Sequence, residues 1–414
     1  MMQMLIKNAK LRNQSDLMDV AVDDGKIKEI GKRVLCEADT VVDAEGRLVT
    51  SSFIEPHIHL DKNNVLDEMP DAKVVTLQDA IDIQAIAKKN YSVERIVKRG
   101  SDVVNRAIVN GTLNIRSHID LDDVAGIVTY DGVAALKEKY KGVCDIQIVA
   151  FPQVGLIKCP MAKELMEEAM KRGADVVGGM PANENSPDDS REHVKFCFDL
   201  AEKYDADVDM HVDETDDPFY RTLEMVADEA LKRGYIGRVT AGHTCALAAY
   251  DDHYASYVIE KVAKAGMRII TNPPTNLVLE GRNDKQPIRR GITRVKELLA
   301  AGVTVCFGQD NLNDTFYPFG AANSLQLANL TGHAAQMTAP DEIEKLYDMI
   351  TVDAAKILGL EDYGLEIGKN ANLVILDATD VREAIRLDPD RLYVIRKGKV
   401  VAQTERETKL FIKI

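Results

Sequence analysis

His57 and His59 stand at i and i+2 in the extended stretch Glu55-Pro56-His57-Ile58-His59-Leu60-Asp61-Lys62, so both imidazoles leave the same side of the chain. One metal ion can take both as ligands. A single H-x-H pair is weak evidence, because a chance pair on a solvated strand edge looks the same. The chain holds eight histidines, so the test is where the other ligand-type residues fall.

The elements that must position them alternate. Apolar runs of β type, separated by amphipathic stretches of helical period, read as a parallel α/β sheet. The runs are Val49–Ile54, Leu113–Ser117, Ile146–Phe151, Asp175–Gly179, Asp207–Met210, Arg238–Gly242, Arg268–Thr271 and Val303–Gly308. Helices are predicted over Ala162–Lys171, Arg191–Lys203, Tyr220–Arg233, Tyr254–Ala265 and Thr293–Ala300, several closing on glycine. Eight such units over about 260 residues predict a (β/α)8 barrel. A doubly wound open sheet would carry a Gly-rich phosphate turn after its first strand, and Glu55-Pro56-His57 is no such turn.

Short strands with turn signals occupy both ends of the chain: Met4–Leu11, Asp19–Val22, Lys26–Ile30 and Thr40–Asp43, then 371–377, Arg391–Arg396 and 400–402. Two such segments can pair into one unit, because short strands are unstable alone. The expected organisation is a small β-sandwich from residues 1–52 and 364–414 around a barrel of residues 53–363.

In such barrels chemistry gathers at the C-terminal ends of the strands. His57 and His59 follow the first run, His118 and Asp120 the second, and Gln153 the third. His211 and Glu214 follow the fifth, His243 the sixth, Asn272 and Asn276 the seventh, and Asp310 the eighth. His193, His253 and His333 fall in or beside helices and receive no role. The convergence of the other histidines on strand ends outweighs the plain reading of each one singly. His57, His59, His211 and Asp310 make a three-nitrogen, one-oxygen set suited to Zn²⁺ or Fe²⁺ with room for a water. Glu214 is placed to exchange protons with a substrate, and His243 and Asp310 to move protons from water to a leaving group. Gln153 offers a donor and an acceptor to an amide-like ring edge. The fourth run has no lysine to bridge a second ion, so one divalent metal is expected.

Composition narrows the class. The 414 residues carry a formal net charge of −15, which excludes a binder of phosphate backbones. The six cysteines form no C-x-x-C. No apolar run approaches the roughly 20 residues that span a bilayer. The first residues lack a secretion-signal layout, and the expected setting is cytoplasmic.

The residues resemble the amidohydrolase superfamily, and within it the cytosine deaminase-like branch. The resemblance is carried by Glu55-Pro56-His57-Ile58-His59-Leu60-Asp61, Gln147–Gln153, Gly173–Gly178, Asp213–Asp217, Arg289–Glu297 and Tyr317-Pro318-Phe319-Gly320. It implies metal ligation by His57, His59, His211 and Asp310. It implies that Gln153 orients a pyrimidine amide edge, Glu214 protonates a ring nitrogen, and His243 helps deprotonate the metal's water. Hydroxide on the metal then attacks the amidine-like carbon and ammonia leaves, with Asp310 relaying a proton. Phe151, Phe316, Asn311 and His118 are expected to line the substrate. Asn311 replaces an aspartate of cytosine deaminase, Gln309 and Ala182 replace histidines, and Phe316 replaces a tryptophan. An asparagine mixes donor and acceptor where aspartate only accepts, which changes the ring substituents accepted. Leu60-Asp61-Lys62 and Gln309-Asp310-Asn311 are also similar to N-isopropylammelide amidohydrolase, whose branch lacks the Glu214 equivalent. The expectation is a deaminase of a small cytosine-like heterocycle, assembled as a homo-oligomer. Release of an alkylamine from an s-triazine, or opening of a cyclic amide, is the alternative. A non-catalytic scaffold would have lost the ligands that this chain keeps.

Overall fold

The computed structural model describes residues 1–68 and 74–412. Residues 69–73 of the expected barrel, and residues 413 and 414 of the expected terminal unit, lie outside the described residues.

Eight parallel strands, paired in chain order, form one sheet: β1 (Phe53–Ile58), β2 (Thr112–Asp120), β3 (Asp145–Phe151), β4 (Val176–Gly179), β5 (Asp207–Val212), β6 (Val239–His243), β7 (Arg268–Thr271) and β8 (Thr304–Phe307). The sheet closes just past β8. Ile58 bridges Asp310, the Asp310 N–H donates to the His57 carbonyl at 2.7 Å, and the His59 N–H donates to the Asp310 carbonyl at 3.2 Å. Closure is therefore made by the metal-ligand candidates' own backbone. Helices cover the outer face, as a parallel sheet buried on both sides requires.

The strands run further than their apolar character suggests. His118 and Asp120 lie inside β2, His211 inside β5 and His243 inside β6. Ladder hydrogen bonding continues through polar residues when those residues face the barrel's interior. The first predicted run is two strands. Leu48–Ser51 belongs to the terminal sheet, and β1 begins at Phe53.

The helices Leu77–Lys88, Val93–Val109 and Val128–Lys139 were not anticipated. The first carried a readable signal, because Thr76 and Asp79 form a reciprocal capping box. The second hides behind Gly100, which reads as a breaker. At that position a Cβ would stand 2.3 Å from Leu136 Cδ1, so glycine is what lets two helices pack this closely.

Both ends of the chain build one mixed sheet of eight strands. Its path runs Lys399–Gln403, Arg391–Arg396, Leu373–Leu376, Leu48–Ser51, Met2–Leu11, Leu17–Asp23 and Lys26–Gly31, and Ala38–Asp43 also pairs with Met2–Leu11. The sheet curls until Lys26 bridges Asn370, enclosing Ile6, Val20, Ile27 and Ile395. Strand alternation welds this layer to the barrel: Leu373 and Ile375 enter the terminal core, while Val374 and Leu376 enter the barrel core. The helix Val381–Leu387 interrupts the C-terminal β segment and buries Ala384 and Ile385 against the barrel.

At the closed end, Arg116 of β2 ties the barrel interior together. It donates to Asp209 Oδ2 of β5 at 2.8 Å, to Gln147 Oε1 at 3.0 Å and to the Ile357 carbonyl at 3.1 Å, all below the metal-ligand cluster. Arg116→Met would strand the fully buried Asp209 and should cost about 3–5 kcal/mol. A urea titration checks this; a loss under about 1 kcal/mol would show that Asp209 finds another partner.

Candidate active site

The strand ends bring His57, His59, His211 and Asp310 together, their ligand atoms all within 4.8 Å of one another. His211 Nε2 lies 3.3 Å from His57 Nε2 and 3.1 Å from His59 Nε2; Asp310 Oδ1 lies 3.5 and 3.3 Å from the same two nitrogens. A tetrahedral ion with bonds of about 2.0–2.1 Å sets its ligand atoms about 3.3 Å apart. The donor set and its spacing fit such an ion. Neutral imidazoles are also what a metal needs. Burial drives the His211 pKa well below its usual value and brings His59, with Lys62 adding to the effect, down to about 4.

The backbone is bent to make this cluster. Asp310 (φ 60°), His243 (φ 67°), Thr244 (φ 51°) and Asp213 (φ 47°) all adopt left-handed conformations that L residues avoid. Glu55 accepts the N–H groups of His57 and Gln309, both at 3.0 Å, lashing the end of β1 to the chain after β8. Its burial raises the carboxyl pKa to about 8. At Gly308 a Cβ would fall 2.7 Å from His57 Cβ, so only glycine lets this turn pass the ligand.

Glu214, His243 and Asp310 form a second convergent group. His243 Nδ1 stands 3.3 Å from Glu214 Oε1 and 3.2 Å from Asn276 Oδ1, and Asn276 Nδ2 donates to Glu214 Oε1 at 3.2 Å. Asn272 Nδ2 approaches His243 Nε2 at 3.2 Å. Burial, with the Asp310 charge, raises the Glu214 pKa well above the carboxylate range; burial lowers His243 to about 3. Burial thus favours the uncharged form of both groups, a carboxyl beside an imidazole at the mouth of the cavity.

The residues expected to meet a substrate are distributed around this centre. Phe151 stacks on His211 with ring centres 4.0 Å apart. Phe316 is buried with Ala80, Ile81 and Leu279, under the helix Leu77–Lys88. Gln153 is buried at the β3 end, its carbonyl accepting from Asn183 Nδ2 at 2.7 Å. Asn311 is occupied by the protein itself: its Nδ2 donates to Asp314 at 2.8 Å and its Oδ1 accepts from Thr275 at 3.3 Å. His118 lies beneath the cluster, 4.2 Å from the His57 ring, with both ring nitrogens lacking a hydrogen-bond partner. His193 is buried too, linking Glu184 to the Met180 N–H. A cavity of about 270 Å³ opens on His211 and Glu214, between Leu77, Tyr220 and Glu280. That is the size for a single- or double-ring ligand rather than a drug-sized one.

Sequence reasoning gave no role to Lys62, Lys88, Asp61 or Asp120, which form a buried charged cluster beside Gln153. Lys88 donates to Asp122 at 2.7 Å and forms an ion pair with Asp120 Oδ2 at 2.7 Å, and the Asp120 N–H donates to Asp61 at 3.0 Å. Lys62 and Lys88 hold the Asp120 pKa at about 2 despite its burial, while burial lifts Asp61 to about 7. The available signal was Asp61-Lys62 directly behind H-x-H, where a charged pair follows a fully buried strand.

A closed (β/α)8 barrel with three histidines and an aspartate on its strand ends defines a metal-dependent hydrolase. The amidohydrolase family matches residues 117–402, and the chain belongs to that family. It is 29% identical to N-isopropylammelide isopropyl amidohydrolase of Pseudomonas sp. (strain ADP), over 97% of this chain and 98% of that one. It is 30% identical to pterin deaminase of Rhizobium rhizogenes, over 92% of this chain and 87% of the relative. The crystal structure of 5-methylcytosine deaminase from Klebsiella pneumoniae liganded with 5-fluorocytosine superposes with a TM-score of 0.94 at 39% identity, covering 98% of this chain and 99% of that one. Among the described residues, no helix is long and apolar enough to cross a membrane.

Two outcomes test the site. Gly308→Ala should lower metal affinity by about 10- to 100-fold by displacing His57; a metal titration showing unchanged affinity would free Gly308 from this role. In metal-free protein the unfolded chain takes up histidine protons below about pH 6.5, whereas the fold resists them until about 4 at His59 and about 3 at His243. The share of stability these two imidazoles contribute is full above about pH 6.5 and is lost as the pH drops toward 4, while the raised pKa of Glu55, about 8, works the other way and adds stability as the pH falls. His243→Gln should therefore lessen the loss of melting temperature between pH 7 and 4.5; a pH profile unchanged by the substitution would contradict this.

Proposed function

We propose that this protein is a metal-dependent hydrolytic deaminase of a cytosine-like or related aminated N-heterocycle. The observation that carries the reading is Glu214, a buried carboxylic acid 3.3 Å from His243 and beside the ligand cluster. An alkylamine or ammonia can leave from such a site, but a protonated acid facing the ring is what activates an aromatic amidine. Similarity to 5-methylcytosine deaminase and pterin deaminase supports the same chemistry.

His57, His59, His211 and Asp310 would hold one Zn²⁺ or Fe²⁺, which would lower the pKa of a bound water to about 7. Glu214 gives its proton to the ring nitrogen next to the amino-bearing carbon, making that carbon electrophilic. Asn276 holds both Glu214 and His243 in place, which keeps the proton path short. His243 and Asp310 accept protons from the attacking water, and Asp310 returns one to the departing amine. The water oxygen adds to the carbon first and the C–N bond breaks second: ammonia leaves with the amino nitrogen and the proton from Asp310, and His243 passes the other water proton to Glu214, which regains its acid form. Phe151 and Phe316 wall the ring, and Gln153 meets its edge. Asn311 acts by holding the 311–317 loop that carries Phe316. His118 fills the floor under His57.

A second reading, release of an alkylamine, draws on the similarity to N-isopropylammelide isopropyl amidohydrolase. Product analysis separates the two. Incubation with cytosine, 5-methylcytosine, isocytosine, creatinine, a pterin, ammelide and an N-alkyl ammelide should release ammonia from an aminated ring. Alkylamine as the main product would favour the second reading. Glu214→Gln should lower kcat by about 100-fold or more while leaving bound metal unchanged; full activity in that variant would remove Glu214 from proton transfer.

A further inference from the structure

Glu214, His243 and Asp310 are more than a proton path. They form a second set of metal-ligand type, with one ligand atom of each lying within 4.8 Å of the others, and all three are buried. His243 Nδ1 stands 3.3 Å from Glu214 Oε1. That is the spacing which a tetrahedral ion with bonds of about 2.0–2.1 Å sets between two of its ligands. Asp310 spends one oxygen on the first set, Oδ1 lying 3.5 and 3.3 Å from His57 Nε2 and His59 Nε2. Its Oδ2 is buried and has no hydrogen-bond partner. A carboxylate with one oxygen turned to one ion and the other free can bridge two ions about 3.5–4 Å apart. The Asp310 charge also works against a charge on Glu214, and a cation between the two carboxylates reverses that opposition.

The surroundings suit an ion as well as the ligands do. A ligating carboxylate is held on its outer side by a hydrogen bond, and Asn276 Nδ2 donates to Glu214 Oε1 at 3.2 Å. A ligating imidazole gives its other N–H to an acceptor. Asn272 Nδ2 lies 3.2 Å from His243 Nε2, while Asn272 Oδ1 is buried without a partner. A half-turn of that amide exchanges the two atoms. Oδ1 then accepts from the Nε2–H, and the Nδ1 lone pair is left facing Glu214. Entry is open as well. Glu214 lines the cavity of about 270 Å³, so a water can complete the coordination from that side.

We propose that Glu214, His243 and Asp310 form a second, weaker divalent-cation site, and that filling it silences the enzyme. The second ion is the weaker because it shares Asp310 with the first and is repelled by its charge. A lone pair bound to a metal cannot take up a proton. The ion therefore replaces the proton that burial favours on Glu214, that proton leaves to solvent, and both Glu214 and His243 are withdrawn from proton transfer. The silencing rests on the deaminase reading; the site itself rests on the ligand geometry.

The test is equilibrium dialysis of the protein carrying one Zn²⁺ against rising Zn²⁺, with zinc counted per chain and ammonia release followed on the same samples. Wild type should take up one further zinc, and its activity should fall with the same midpoint. Glu214→Gln and His243→Gln should each keep the first zinc and weaken the second by at least about tenfold. Either variant serves if the other does not fold. A wild type that stays at one zinc per chain up to about 1 mM, the weakest binding worth the name of a site, overturns the proposal. A second zinc held equally well by both variants lies elsewhere and overturns it too, as does activity that holds or rises while the second zinc binds. The deaminase reading is judged apart: a second zinc lost in both variants, with no ammonia from any ring, would sink that reading and keep the site.

Discussion

Three imidazole nitrogens and a carboxylate oxygen, all buried, meet within 4.8 Å inside a closed barrel. They cannot all satisfy one another by hydrogen bonds. Burial disfavours a charge on His59 and His211, and the three Nε2 atoms converge on the same point. Everything around the cluster holds that frustrated meeting in place until a cation resolves it. Glu55 clamps the two strand ends, Gly308 clears the path for His57, and the Asp310 backbone carries the hydrogen bonds that close the barrel. The barrel closes at the point where the candidate metal ligands meet.

The strain follows from the same need. Left-handed Asp213, His243, Thr244 and Asp310 all sit where a strand stops and a side chain must turn inward. Such conformations persist only when surrounding contacts over-determine them. Asp213 shows how this is done: its carboxylate accepts from the Thr222 N–H and hydroxyl and from the Leu223 N–H, at 2.9, 2.6 and 2.9 Å. The loop carrying Glu214 is thereby pinned to the start of the next helix. Polar groups around the cluster are held by the protein in a similar way, with Lys62 donating to Gln153 and Asn276 donating to Glu214.

Much of the fold was legible. Apolar runs divided by amphipathic stretches place seven barrel strands and the start of β1, because a strand buried on both faces cannot hide its composition. The boundaries were less legible. β2 and β5 extend through His118, Asp120 and His211, whose polarity looks like a strand's end to any reading of hydrophobicity. The helix Val93–Val109 was missed because Gly100 has a packing reason that local propensity does not contain. The curl of the terminal sheet was equally hidden, since Leu373–Leu376 serves two cores by alternation.

For the site, residue type and order along the chain were enough to nominate His57, His59, His211, His243, Glu214 and Asp310, because each must follow its own strand to reach a common face. Which atoms meet there depends on tertiary structure. Asn311, nominated for the substrate, spends its amide on Asp314 and Thr275. Lys62, given no role, points between two aromatic rings at Gln153. His193, set aside as a helix residue, braces the β4 end through Met180 and Glu184. Chain order determines which strand end a side chain reaches, a local matter of period and spacing. Whether its polar atoms face a ligand or another residue is decided by loops brought together from distant parts of the chain, and by the rule that every buried donor and acceptor must find a partner.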